Sequence, residues 1–415
     1  MHKKHLIISL ILVCICYTST AQNKLFFINK NQKKITLDFR LVSNQIIIPV
    51  QINESDTLNF ILDTGLKTSI ITHIPEKDSL MLKYARKLKI KGLGNDGDLE
   101  VYHSQGNTIR IKGIQGTDFS FYIILDDKFQ LSAELGMEIH GLIGGDLFES
   151  FVVKIDYASL KITFYRNETF KYKRRHRKRF VTLPLIFHKS KPYLKLPIVT
   201  SYNDTLTTKL LIDTGSSDAL WLFTGSNDKI KVPKNNRESY LGKGLSGNIH
   251  GFHGRIKSLQ IGKYTLNDIA AAFPEMSMLQ NSKIQDIKGR NGSIGAEIMR
   301  RFTVIFDYKN KKILLRKNRN FREKFNFNMA GFEVKAPYGL LPVFIVSYIR
   351  QNSPAEKAGL KKGDMIKYLN GKAAHEYNVL EINSMTRQYP GKRMRIIIER
   401  NGAKQKIKFR LIKDL

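Results

Sequence analysis

Phe60-Ile61-Leu62-Asp63-Thr64-Gly65 reappears 150 positions later as Leu210-Leu211-Ile212-Asp213-Thr214-Gly215. The same offset aligns Gly92, Gly94 and Gly97 with Gly242, Gly244 and Gly247, and Tyr102-His103 with Phe252-His253. One residue further out of phase, Gly141-Leu142-Ile143-Gly144 matches Gly292-Ser293-Ile294-Gly295, and residues 151–157 match 302–308. Agreement in order and spacing on this scale marks two homologous units. They run over residues 35–166 and 181–318.

The texture of both units is β. Short apolar or alternating runs at 45–52, 109–114, 120–125 and 302–306 are bounded by Gly, Asn and Asp, which is strand and turn chemistry. Helix is expected only over 79–88 and in the turn after Gly144 and Gly295. An apolar strand that ends in Asp-Thr-Gly presents a carboxylate at a tight turn, where glycine permits close backbone approach. One such triplet is a weak signal. Two in homologous units, each followed by an apolar-apolar-Gly segment, are a strong one.

This constellation resembles the pepsin/retropepsin-like aspartic proteases over most of residues 41–316. The resemblance implies a mainly β, bilobal fold with Asp63 and Asp213 brought together at the floor of a cleft as the catalytic pair. It implies that Thr64 and Thr214 hold the two loops to each other, with Gly65, Gly215 and Ser216 supporting them. It also implies water-mediated hydrolysis of polypeptides with no cofactor, metal or covalent intermediate. Two neighbouring carboxylates cannot both ionise easily and so share a proton. The lobes depart unequally from the pattern: Ser216 follows the second triplet, but Leu66 follows the first. An active protease and an inactive peptide-binding relative both remain open.

Two competing motifs lose on context. Gly92 to Gly97 and Gly242 to Gly247 fit G-x-G-x-x-G, yet neither opens a helix after a strand, as a dinucleotide site requires. Both are expected to be hairpin turns. His103 and His253 occupy equivalent places, with a structural role favoured, and His250 with His253 is too small a set for a metal.

The chain has 415 residues, 42% of them hydrophobic, which excludes global disorder. Residues 1–21 read as a signal peptide: Lys3 and Lys4 precede an apolar core, and Ser19-Thr20-Ala21 supplies small residues before Gln22. Its removal takes both cysteines, Cys14 and Cys16. Export to a periplasm, cell envelope or extracellular space follows as an expectation. Net charge is +33, which makes an anionic envelope surface a candidate partner. The densest basic run, Lys171 to Arg179, falls in an expected linker over 167–180 and reads as solvated, with no nucleic acid expected. One chain supplies both aspartates, so a monomer suffices.

After a short segment over 22–34, the two lobes and a second linker over 319–330, residues 331–415 resemble a PDZ domain. The resemblance rests on residues 343–349 and on Asn352-Ser353-Pro354-Ala355-Glu356-Lys357-Ala358-Gly359-Leu360-Lys361-Lys362-Gly363-Asp364. It implies peptide recognition by addition to a sheet edge, of a C-terminus or an internal segment. The carboxylate-binding loop is expected at Gly339-Leu340-Leu341, although Pro342 beside it lacks an N–H. Peptide capture and docking against the protease lobes are equally open.

Overall fold

Strands Leu58–Leu62 and Thr205–Ile212 each end in a run of three residues, 60–62 and 210–212, that are all buried. Burial on both faces explains why these strands read as continuous apolar runs rather than as alternation. The computed structural model describes residues 24–75, 80–90, 99–124, 131–244, 247–275, 289–337, 341–413 and 415. The expected signal peptide, with Cys14 and Cys16, lies outside these residues, as do Gly92, Gly94 and Gly97. No helix among the described residues is long and apolar enough to cross a membrane.

The protein is mainly β. Lobe 1 is built on a nine-stranded sheet and lobe 2 on an eight-stranded one. In lobe 1, Gly141–Ile143 runs parallel to Leu58–Leu62 and antiparallel to Ser69–Ile71. In lobe 2, Gly292–Ile294 lies in the same way between Thr205–Ile212 and Leu220–Leu222. The apolar-apolar-Gly segment is thus threaded between the two strands that flank each Asp-Thr-Gly turn. A Cβ at Gly141 would stand 2.1 Å from the Ile70 carbonyl oxygen, and one at Gly292 1.8 Å from that of Trp221. Only glycine fits where the backbones pass this closely.

A third sheet joins the lobes. Its six strands run Val181–Pro184, Lys312–Lys317, Phe302–Asp307, Phe151–Asp156, Lys161–Arg166 and Lys34–Asp38. Each half mirrors the other, and the halves meet where Lys154 faces Ile305, flanked by Val153 opposite Phe306 and Ile155 opposite Val304. This pairing places a two-fold relation between the lobes directly in the backbone. One large apolar cluster, including Phe148, Phe164, Phe302 and Phe306, extends through both lobes.

Several local expectations need correction. The helix expected over 79–88 is not formed: residues 80–85 are irregular and Arg86–Ile90 is a strand paired with residues 99–103. Met81 and Tyr84 take positive φ values, 42° and 44°, and cross-strand pairing of the hairpin overrides local helix preference. The expected strand 109–114 is cut by a turn at Lys112-Gly113 that joins Leu99–Ile111 to Ile114–Ile123. The basic run contains a short helix, Arg174–Arg179. Phe170, Tyr172 and Phe180 anchor it against Val152, Ile305 and Leu314 of the shared sheet. Residues 319–330 are also pinned: Arg301 is fully buried with its guanidinium carbon 3.7 Å from the Phe325 ring centre.

The C-terminal sheet has the order Phe332–Lys335, Phe344–Ile349, Met365–Leu369, Arg393–Arg400, Ala403–Arg410. It has its own apolar core around Val346, Leu360, Ile366 and Ile396. Ser353 accepts the Glu356 N–H and Pro354 opens the short helix Pro354–Lys357, the cap chemistry that the Ser-Pro pair predicts.

Candidate active site

The backbone N–H of Asp63 donates to the Ile143 carbonyl at 2.8 Å, and that of Asp213 to Ile294 at 2.9 Å. Each aspartate is therefore hung from the threaded segment of its own lobe. The next residue ties it to the other lobe. Thr64 Oγ1 donates to the Ile212 carbonyl at 2.7 Å and accepts the Thr214 N–H at 3.1 Å. Thr214 Oγ1 donates to Leu62 at 2.8 Å and accepts the Thr64 N–H at 3.1 Å. Both threonines are fully buried, so these four bonds form in a dry environment where an unmade bond is costly.

The carboxylates are oriented by backbone amides. Gly65 N–H donates to Asp63 Oδ1 at 2.6 Å, and Ser216 N–H to Asp213 Oδ1 at 3.0 Å. Ser216 therefore serves the Asp213 carboxylate through its backbone N–H. Leu66 has the matching structural duty: its carbonyl accepts the Gly145 N–H at 3.0 Å, as the Ser216 carbonyl accepts Ala296 N–H at 2.8 Å. Its side chain packs with Ile70, Val101 and Ile124. A Cβ placed on Gly65 would stand 3.1 Å from the Asp213 carboxyl carbon, and one on Gly215 2.4 Å from that of Asp63. Each glycine lies against the carboxylate of the opposite lobe.

Asp63 is 7% exposed and Asp213 half-buried. Burial holds the Asp63 carboxyl well above the usual carboxylate range, and the Asp213 charge pushes it the same way. The Gly65 N–H and Lys191 oppose both. Burial in turn pushes the Lys191 ammonium down, with Asp63 and Asp213 pulling it back up. Sequence reasoning missed Lys191, at the start of the strand Lys191–Val199, which no repeated motif marks. It also missed two cross-lobe contacts. Asn44 Nδ2 donates to the Ser217 carbonyl at 2.9 Å, and Gln45 Nε2 donates to the Gly215 carbonyl.

The other sequence candidates fall elsewhere. Gly242 and Gly247 flank a hairpin in which Gly244 faces Gly247, in keeping with a turn. His103 lies 5.2 Å from the Tyr122 ring. His253 is tilted against Phe327, and burial pushes its imidazole down to about 3. No group of three or more metal-ligating side chains occurs among the described residues. In the C-terminal domain, Gly339 and Leu340 lie outside the described residues, and Leu341 is exposed. The open edge of that sheet beside helix Val379–Met385 is Phe332–Lys335. The loop that leads into this edge is residues 328–331. The expected loop at 339–341 follows this strand in the chain and falls largely outside the described residues.

Two β lobes joined by a symmetric sheet, with one aspartate from each at their meeting point, define the aspartic-protease class of fold. Family comparison agrees: residues 48–147 and 198–297 each match the aspartyl protease family, and 318–411 match the PDZ domain family. The chain carries a duplicated aspartyl protease domain followed by a PDZ domain. Comparison with curated proteins finds no match.

Proposed function

We propose that the protein is an exported aspartic endopeptidase that hydrolyses peptide bonds with water activated by Asp63 and Asp213. The observation that carries this reading is the reciprocal threonine lock, which holds two carboxylates from different lobes against each other in a buried setting. The ionised carboxylate removes a proton from water while the protonated one donates to the peptide carbonyl oxygen. The hydroxide so formed bonds to the carbonyl carbon. Collapse of the tetrahedral intermediate then breaks the C–N bond, with a proton delivered to the leaving nitrogen. Extended substrates bind through backbone hydrogen bonds, and the PDZ domain recognises polypeptide. Catalysis needs a monomer only.

The test is turnover of an unfolded protein and of short peptides by wild type, Asp63→Asn and Asp213→Asn. Cleavage by wild type alone supports the proposal, and cleavage retained in either variant overturns it. A second reading, peptide binding without turnover, is favoured by the 7% exposure of Asp63. Binding of peptides at an undetectable cleavage rate would establish that alternative. Export predicts an N-terminus at Gln22 by intact mass and no thiol reactivity.

A further inference from the structure

The last hairpin of the C-terminal domain, Arg393–Arg400 with Ala403–Arg410, has one face in the core and one in solvent. Met394, Ile396, Ile398 and Ile407 fill the core. Register then fixes what the other face presents. Arg393 lies opposite Arg410, Arg395 opposite Lys408, Ile397 opposite Lys406 and Glu399 opposite Lys404. All six of these cations are exposed. Residues 392–413 hold nine Lys and Arg against one acid, a far steeper excess than the 69 to 36 of the whole chain. That acid, Glu399, is already engaged, 3.4 Å from Lys367 Nζ on the next strand. Among the described residues no carboxylate pairs with Arg393, Arg395, Lys406, Lys408 or Arg410. Arg410 donates instead to the Gly391 carbonyl at 2.9 Å.

Such an arrangement is costly by itself. Like charges directly opposite in a ladder are destabilising, and here two such pairs are neighbours on one face. Lysines on an outermost strand often serve to block edge-to-edge pairing. That accounts for Lys404, Lys406 and Lys408. It does not account for Arg393 and Arg395, whose strand is flanked on both sides, by Met365–Leu369 and Ala403–Arg410. Outward side chains recur about every 7 Å along a strand, and opposed ones stand about 5 Å apart. Both spacings are below the Debye length of about 8 Å at physiological ionic strength, so the fields of the six cations add. Apolar groups lie among and beside them. Tyr368 is exposed opposite Ile397 on the same face. Tyr389 and Ile412 are exposed at the end of the hairpin, where the Gly391 N–H donates to the Leu411 carbonyl.

A duplex groove admits a helix or a two-stranded ribbon, whereas these cations lie on a sheet face at least three strands wide. A broad array of cations with tyrosine and isoleucine at its surface matches an anionic bilayer. There, lipid charge attracts Lys and Arg from a distance, and amphipathic rings settle at the headgroup level. We infer that this face of the C-terminal hairpin docks the protein on an anionic phospholipid bilayer. The aspartate pair contributes no residue to the docking, which holds whatever the lobes do to a substrate.

The test is cosedimentation of the full chain with vesicles of phosphatidylcholine containing about one third phosphatidylglycerol, and with phosphatidylcholine alone. Wild type is compared with Arg393→Gln/Arg395→Gln/Lys406→Gln/Lys408→Gln. A second variant, Lys171→Gln/Lys173→Gln/Arg174→Gln/Lys178→Gln, removes the same charge from the other basic run. Wild type is expected to bind the anionic vesicles, to leave them as salt is raised and to ignore the neutral ones. The hairpin variant is expected to bind at least about tenfold more weakly, and the second variant within about twofold of wild type. Equal losses in the two variants would make net charge the cause and overturn the assignment of the face. Undiminished binding by the hairpin variant, or no preference for anionic vesicles, would overturn it as well. Binding of a short DNA duplex in place of the vesicles would overturn the bilayer as the occupant. The thermal midpoint of the hairpin variant is expected to be no lower than that of wild type, because opposed like charges are relieved. A lower midpoint would assign these cations to the fold and overturn the docking.

Discussion

Gly215 lies so close to Asp63 that a methyl group on its Cα would stand 2.4 Å from the carboxyl carbon and 2.5 Å from Oδ2. The glycine of one triplet therefore sets the space available to the aspartate of the other. The relation is asymmetric, since the nearest carboxyl atoms to a Cβ on Gly65 are 3.1 Å away.

Gly215→Ala is accordingly expected to be the more damaging of the two alanine substitutions. Asp63 cannot simply rotate away, because Gly65 N–H holds its Oδ1. Overpacking of this kind costs about 1–3 kcal/mol. The expected result is a lower thermal midpoint and loss of turnover for Gly215→Ala, with a smaller effect of Gly65→Ala. Equal effects would contradict the geometry.

Removing the threonine lock tests the joint between the lobes. Thr214→Val leaves the Leu62 carbonyl and the Thr64 N–H without the partner hydroxyl, at a cost of about 2–6 kcal/mol for the two groups. Thr64→Val does the same to Ile212 and Thr214. Because the bonds are reciprocal, the double variant should cost less than the sum of the singles, as residues of one network do. Denaturant unfolding of the four proteins measures that difference.

The pH dependence of the aspartate pair follows from the raised Asp63 carboxyl. With a folded value above the unfolded one, the protonated form is favoured in the native state. That contribution is fully present below the unfolded value and is lost as pH rises through the folded one. Turnover should fall along the same alkaline limb as the pair loses its shared proton. Asp213→Asn removes the neighbouring charge but not the burial, so Asp63 should titrate lower than in wild type yet above an exposed aspartate. Carbon-13 carboxyl titration by NMR reads this directly.

Glu333 sits half-buried at the cavity wall between the PDZ domain and lobe 2. Burial pushes its carboxyl up to about 7; Glu134 and Asp218 add to this, and Arg387 and Arg350 oppose it. Its favourable contribution is present below the unfolded value of 4.5 and lost as pH rises toward 7. Glu333→Gln should then be more stable than wild type at pH 8, by on the order of 1 kcal/mol, and no more stable at pH 4. Thermal melts at the two pH values decide it.

Much of the candidate site was legible in the sequence. The two triplets, their spacing and the Gly141-to-Gly144 and Gly292-to-Gly295 segments are local patterns, repeated twice, and the resemblance they carry matches the family found. Other features were not legible for physical reasons. Residues 80–90 carry no marked strand signal, and only pairing with the partner strand makes 86–90 extended. Lys191 acts on the pair through its charge, from a strand far along the chain, and no motif marks it. The edge strand Phe332–Lys335 of the C-terminal sheet is defined only by which neighbour it lacks, and no local pattern shows that.

The sequence by itself determined that the chain holds two copies of one β unit, each offering an Asp-Thr-Gly turn, followed by a recognition domain. Those properties are local: strand periodicity, turn residues and a repeat length. The tertiary structure alone decided which groups meet. It set Lys154 against Ile305 so that the halves share one sheet, put Gly215 beside Asp63, and packed residues 131–139 against Leu380 of helix Val379–Met385. Each of these contacts joins positions far apart in the chain. Their energy comes from burial and from hydrogen bonds made only when distant segments pack together, and no local pattern encodes that.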